Sequence, residues 1–237
     1  MISVCLATCN GEKYIKKQIL SILQCIPPEA ELIISDDASV DKTLDIIKSI
    51  ADSRISLFHS NFRSITKNFE FLISKSKGIY IFLSDQDDIW TSDKVDSMLF
   101  YFNSGYDVLV SDCNIIDQND SVLHNSFLKI SNLKRGFMRN LVKNNYIGCC
   151  MAFHTKIKPV ILPFPEKIPM HDWWIGLLSE LYFKTYFINT PLVFYRSHDE
   201  NNSDTANGLS TNSIYKKIRL RVILFYLILK RVISLLC

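Results

Sequence analysis

Residues 79–90 read "IYIFLSDQDDIW". The run from Ile79 to Leu83 is apolar or aromatic at every position, which is how a strand covered on both faces reads. Asp85, Asp87 and Asp88 follow it within four positions. Two readings explain the aspartates. A turn in which Asp88 or Ser92 caps the next helix needs only one short oxygen-bearing side chain. A divalent metal site uses more, because magnesium and manganese take hard oxygen ligands from one or two carboxylates together with substrate phosphates and water. Carboxylates this close repel one another, and a plain turn gives no compensation for that.

Working outward, the same pattern repeats. "ISVCLA" (2–7) precedes Ile15, Ile19, Ile22 and Leu23 at helical spacing, and "ELIIS" (31–35) precedes Leu44, Ile47 and Ile50. "RISLFH" (54–59) precedes Phe69, Leu72 and Ile73, and "IYIFLS" precedes Val95, Met98, Leu99 and Phe102. Four strand-then-helix units predict a Rossmann-like α/β fold, a mostly parallel sheet flanked by helices. Beyond about residue 105 the alternation breaks down. "YDVLVSD" and "CCMAFH" read as strands, Leu133 to Val142 and Asp172 to Leu181 as helices, and Pro159, Pro163, Pro165 and Pro169 as a loop. The second half is expected to extend the first sheet rather than form a separate domain.

The chain has 237 residues, 48% hydrophobic and 22% charged, the composition of a folded globular protein. A net charge of +3 creates no general demand for nucleic acid. Seven cysteines, an odd number without a CxxC pair, suggest a reducing compartment. The N-terminus "MISVCLATCNGEKY" carries no basic leader, and no apolar run approaches the ~20 residues that span a bilayer. The expected location is the cytoplasm.

In an open α/β sheet, ligands bind at the carboxyl ends of the strands. Those ends carry "TCNGE", "DDAS" and "DQDD" here, with neither a GxGxxG nor a P-loop. With "SVCLATCNGEKYI", "LIISDDASVDKT", "FLSDQDDIW" and "HDWW" in that order, the chain resembles the family 2 glycosyltransferases of the GT-A fold over roughly residues 2–200. The resemblance is closest to bacterial members that build surface polysaccharides, rhamnosyltransferase-like enzymes among them. It implies an inverting, metal-dependent transfer from a UDP- or dTDP-sugar to a glycan or lipid-linked acceptor. It also implies a nucleotide-sugar-binding half over 1–104 and an acceptor and catalytic half over 105–212.

Under that resemblance, Asp37 accepts the N3–H of a uracil or thymine ring, with Asp36 beside it and Ala7, Thr8, Asn10 and Glu12 of the first loop assisting. Helix capping is the alternative for Asp36 and Asp37, and a solvated first-turn acid for Glu12. Asp85 and Asp87 match the DxD positions, Asp87 toward Mn2+ or Mg2+ and Asp85 near the ribose or metal waters. Asp172 of "HDWW" matches the general base, with a helix N-cap as its compatible structural role. His198 of "FYRSHDENN" matches a histidine that completes the metal shell in some members. Lys67 is a candidate for the diphosphate or a solvated helix residue.

The segment 213–237 holds six Lys or Arg and no acid. Ile218, Val222, Phe225, Leu229 and Val232 follow helical spacing, so a basic amphipathic helix is expected to lie on an anionic membrane surface. A helix packed on the domain or in a homodimer is the alternative. Two other functions fit part of the pattern: a metal-dependent phosphohydrolase or nucleotidyltransferase, and a non-catalytic nucleotide-sugar binder at the membrane. The first leaves "HDWW" without a role, and the second leaves Asp87 and Asp172 without one.

Overall fold

A computed structural model describes residues 1–131, 136–197 and 213–236. Its first half follows the apolar runs: β1 (Ile2–Thr8), α1 (Ile15–Cys25), β2 (Glu31–Asp37), α2 (Thr43–Lys48), β3 (Ile55–Ser60), α3 (Ile65–Lys75) and β4 (Tyr80–Ser84). All seven residues of β1 are buried, as a central strand with helices on both faces requires. Next come β5 (Ile89–Trp90), α4 (Lys94–Asn103), β6 (Val108–Ile116), β7 (Val122–His124), α5 (Phe127–Ser131) and α6 (Phe137–Val142). The chain continues through β8 (Met151–His154), α7 (Lys158–Ile161), α8 (His171–Tyr182), β9 (Thr185–Arg196) and α9 (Ile214–Leu236).

All nine strands join one sheet in the order β3-β2-β1-β4-β8-β6-β9-β5, with β7 on β6. The ladders β3–β2, β2–β1 and β1–β4 are parallel, as is β6–β9, whereas β8 runs antiparallel to both β4 and β6. The second half thus extends the first sheet. Pro159, expected in a loop, instead occupies the first turn of α7, where a missing N–H costs nothing.

The C-terminal helix has two apolar faces. Leu224 and Ile228 are buried against the domain, with Leu227 and Val232 half-buried beside them. Arg221 donates from Nε to the Val142 carbonyl at 2.6 Å, and Arg231 from Nη1 to the Leu162 carbonyl at 2.7 Å. Their guanidinium groups lie 5.8 and 5.7 Å from the ring centres of Trp173 and Trp174. These two arginines bond carbonyls at the C-terminal ends of α6 and α7, and do not turn outward as a purely lipid-facing helix would have them. Ile218, Val222, Phe225 and Leu229 form a second row about a third of the way round the helix, exposed by 57, 62, 40 and 44%. Among the described residues, no helix is long and apolar enough to cross a membrane.

Candidate active site

The carboxyl ends of β1, β2 and β4 open on a cavity of about 920 Å³, whose far wall is the start of α8. At the β2 end, Asp37 accepts main-chain N–H bonds from Phe62, Arg63 and Ser64 at 2.5, 3.0 and 2.9 Å. Arg63 has a φ of +50°, which turns successive N–H groups toward the carboxylate. Two of these bonds fall on Oδ1 and one on Oδ2, so Oδ2 keeps a lone pair for a further donor. Asn10 and Ala38 also have positive φ, +51° and +63°. For alanine that conformation is strained, and such strain gathers at binding sites.

The acidic loop between β4 and β5 is fastened on both sides. Gln86 receives the Thr8 hydroxyl at 2.7 Å and the Cys9 N–H at 2.8 Å on Oε1, and returns a bond from Nε2 to the Cys9 carbonyl. A Cβ on Gly11 would lie 2.5 Å from that same Oε1, which is why the turn after β1 carries a glycine. On the other side, Asp88 Oδ1 accepts the Arg196 N–H at 3.0 Å. Capping plays no part: the N-cap of α4 is Asp93, and it makes no side-chain cap bond.

Burial, with the charges of Asp87 and Asp172, pushes the Asp85 carboxyl up to about 8. Burial, with Asp87 and Asp85, likewise raises Asp88. Asp88 Oδ2 has no hydrogen-bond partner among the described residues, and ligand atoms of Asp85, Asp88 and Cys149 lie within 4.8 Å of one another. Crowded carboxylates that resist ionising, with an orphaned buried oxygen among them, fit a hard divalent cation, which would relieve both penalties. Lys94 sits behind the loop, fully buried. Its Nζ donates to the Cys149 carbonyl at 2.7 Å and lies 4.2 Å from the Trp90 ring centre.

Asp172 lies in the first turn of α8, whose N-cap is Met170, so the expected N-cap role falls to another residue. Its Oδ1 accepts the Trp173 N–H at 2.6 Å and the Asn144 amide at 3.3 Å. Burial raises the Asp172 carboxyl to about 7, against the lowering effect of bonds from Trp173, Asn144 and Gly148. A carboxyl near neutrality is well matched to accepting a proton. His171 is not: burial lowers it to about 3, its ring stacks on Phe69 at 4.0 Å, and neither nitrogen has a partner among the described residues.

Of the residues singled out from sequence, Ala7, Thr8, Asn10, Asp37, Asp85, Asp87 and Asp172 line this one cavity. Three stand off its wall. Asp36 is buried and binds the Ser39 N–H at 3.0 Å, Glu12 accepts the Lys42 N–H at 2.9 Å, and Lys67 is exposed on the first turn of α3. His198 lies outside the described residues. Sequence reading missed Gln86, Lys94, Asn144 and Arg196. Gln86 was visible as the middle of "DQD", and Lys94 and Arg196 as cations within apolar periodicities, but each acts through partners 50 or more residues away.

The family model described as glycosyl transferase family 2 matches residues 3–158. The UDP-Glc:alpha-D-GlcNAc-diphosphoundecaprenol beta-1,3-glucosyltransferase WfaP of Escherichia coli is 28% identical, over 92% of this chain and 83% of that protein. The dTDP-rhamnosyl transferase RfbG of Shigella flexneri is 26% identical, over 91% and 78%. Among solved structures, Staphylococcus aureus TarS 1–349 in complex with UDP-GlcNAc superposes with a TM-score of 0.70 at 18% identity. That match covers 94% of this chain and 66% of the TarS chain, just under two thirds, and it establishes the likeness of fold.

Proposed function

Because this chain belongs to glycosyltransferase family 2, we propose that it transfers a sugar, with inversion, from a UDP- or dTDP-sugar to a lipid-linked or glycan acceptor in bacterial surface-polysaccharide synthesis. The observation that carries this reading is the position of Asp172, which holds a proton-accepting carboxyl on the same cavity as Asp37 and the acidic loop. The nucleotide donors and diphosphoundecaprenol acceptor in the names of WfaP and RfbG support the substrate class.

In this mechanism Asp37 takes the base N–H on its free lone pair, and Thr8 and Asn10 border the nucleotide. The acceptor hydroxyl gives its proton to Asp172 as its oxygen bonds to the anomeric carbon. The bond from that carbon to the diphosphate breaks, and the nucleoside diphosphate leaves with the electron pair. Asp87, assisted by Asp85, would hold Mn2+ or Mg2+, and His198 is the further candidate ligand. The chemistry such an ion supplies is neutralisation of the diphosphate. Lys94 braces the loop from behind through the Cys149 carbonyl, and burial lowers its ammonium from the ordinary lysine range.

The outer face of α9 suits a membrane. Its apolar row is accompanied by exposed Arg219 and Lys230, and the segment contains no acid to oppose an anionic leaflet. On this reading the protein works in the cytoplasm, peripherally at the inner face of the cell membrane, where lipid-linked acceptors are reached.

The decisive measurement is the anomeric configuration of the product, read by NMR after transfer from each of a panel of UDP- and dTDP-sugars. Inversion is expected, and retention would refute the role of Asp172. Asp87→Asn should abolish the response of the rate to manganese, and a wild-type response would remove Asp87 from the metal site.

A further inference from the structure

Arg196, the last residue of β9, is 1% exposed, an uncommon place for a guanidinium. Each of its nitrogens has a use. Nε donates to the Asp87 carbonyl at 2.8 Å, Nη1 to the Asp117 carbonyl at 2.7 Å, and Nη2 to Asp120 Oδ1 at 2.5 Å. Its main-chain N–H holds Asp88 Oδ1, and its guanidinium carbon lies 4.4 Å from the ring centre of Tyr14. Asp120 also pairs with Lys17 of α1. One side chain therefore joins the acidic loop, the β6–β7 turn and the entry to α1.

The acidic loop needs such an anchor. It leaves β4 in the middle of the sheet and reaches β5 at the far edge, so no ladder supports the residues between them. Gln86 fastens its nucleotide side, and Arg196 alone among these anchors grips the main chain of Asp87 itself. Closing the sheet does not require this, since Ile89 and Trp90 already pair with Phe194 and Val193. A lysine cannot replace the arrangement, because its single ammonium cannot meet three divergent acceptors as a planar fork does.

We propose that Arg196 is a positioning residue that sets the direction of the Asp87 carboxylate toward a divalent cation and the donor diphosphate. This rests on the metal reading above. Groups behind a metal ligand typically change metal affinity by 10- to 100-fold when removed.

The test is Mn2+ binding to the full-length chain, followed by loss of the free-ion EPR signal with UDP or dTDP present. Arg196→Lys should raise the half-saturating Mn2+ concentration by about tenfold or more. Nucleotide binding in EDTA, which depends on Thr8, Asn10 and Asp37, should stay as in wild type. Asp120→Ala removes the Nη2 acceptor and should shift Mn2+ binding in the same direction, by less than the loss of the whole fork. It decides the question alone if Arg196→Lys does not fold. Unchanged Mn2+ affinity in a folded variant overturns the proposal, as does equal weakening of metal-free nucleotide binding, which marks general loosening. If wild-type protein binds no Mn2+ in the presence of either nucleotide, the metal reading fails and this inference falls with it.

Discussion

The bond from Asn144 to Asp172 offers a sharp test of the base, because removing it should move the pH dependence of transfer without uniformly lowering the rate. The Asn144 amide donates to Asp172 Oδ1 at 3.3 Å and favours the ionised carboxylate, opposing the burial that raises the group to about 7. A hydrogen bond to a charged group contributes about 1.5–3 kcal/mol, and the long contact argues for the lower end. At ~1.4 kcal/mol per pH unit, Asn144→Ala should raise the carboxyl by about one unit, to about 8. A base must be ionised to act, so the rising limb of the profile moves to higher pH. At pH 7 the ionised fraction falls from about a half to about a tenth, a fivefold slower transfer, while near pH 9 the two rates converge. The assay is single-turnover transfer with saturating donor and acceptor at fixed metal concentration. Because Asn144 Oδ1 also accepts the Tyr146 N–H, the melting temperature must be followed in parallel. A limb that stays in place, or a loss of equal size at every pH, refutes the assignment of Asp172 as the titrating base.

Three further variants give definite expectations. Asp172→Asn should lower the rate constant of transfer with little change in donor affinity, which equilibrium binding of the donor checks. The same change should improve stability above neutral pH. A carboxyl raised to about 7 in the native state favours folding below its unfolded value and loses that contribution as pH rises through 7, a difference approaching about 4 kcal/mol. Denaturant titrations at acid and alkaline pH measure it, and equal wild-type stability at both would refute the burial argument. Gly176→Ala should destabilise by about 1–3 kcal/mol, since its Cβ would lie 2.3–2.5 Å from the Tyr146 ring; a neutral effect on melting would mean the ring moves freely. Replacing Val222, Phe225 and Leu229 by serine should abolish sedimentation with anionic vesicles at low salt and leave melting unchanged. A change in oligomeric state without loss of vesicle binding would assign that face to a homodimer instead.

The parts of this molecule that sequence pattern reveals are those whose cause is local. β1 through β4 and their helices follow from runs such as "ISVCLA" and "ELIIS", whose neighbours in the sheet are equally apolar and need no long-range information. Motif residues at the strand ends converge because the parallel order brings those ends together, which places Thr8, Asp37, Asp85 and Asp87 on one cavity. Legibility fails where a side chain answers to a distant partner. Gln86 looks like a spacer between two acids until the Cys9 main chain is brought beside it. Arg196 reads as a polar residue at the end of a strand, and Asn144 as part of a loop. The C-terminal helix shows the same limit: periodicity announces an apolar face, but Leu224 and Ile228 join the domain core and the Val222 row stays outward, with Arg221 and Arg231 bonded to the carbonyls of Val142 and Leu162.

The separation of β4 from β5 also bears on the sequence of events during synthesis. The two strands are four residues apart in the chain, yet among the described residues β5 pairs with β9, which begins only at Thr185. A nascent chain that has emerged through β4 already contains the four parallel strands and the helices between them. Its acidic loop, however, has nothing to span toward, and the Arg196 that grips it has not been made. The bonds that fix the acidic loop are therefore complete only once residues near 196 have been made, whereas the cradle of Asp37 needs nothing beyond Ser64. A chain that ended before Arg196 would keep Asp37 with its main-chain donors and lack the groups that hold Asp87 and Asp88 in place.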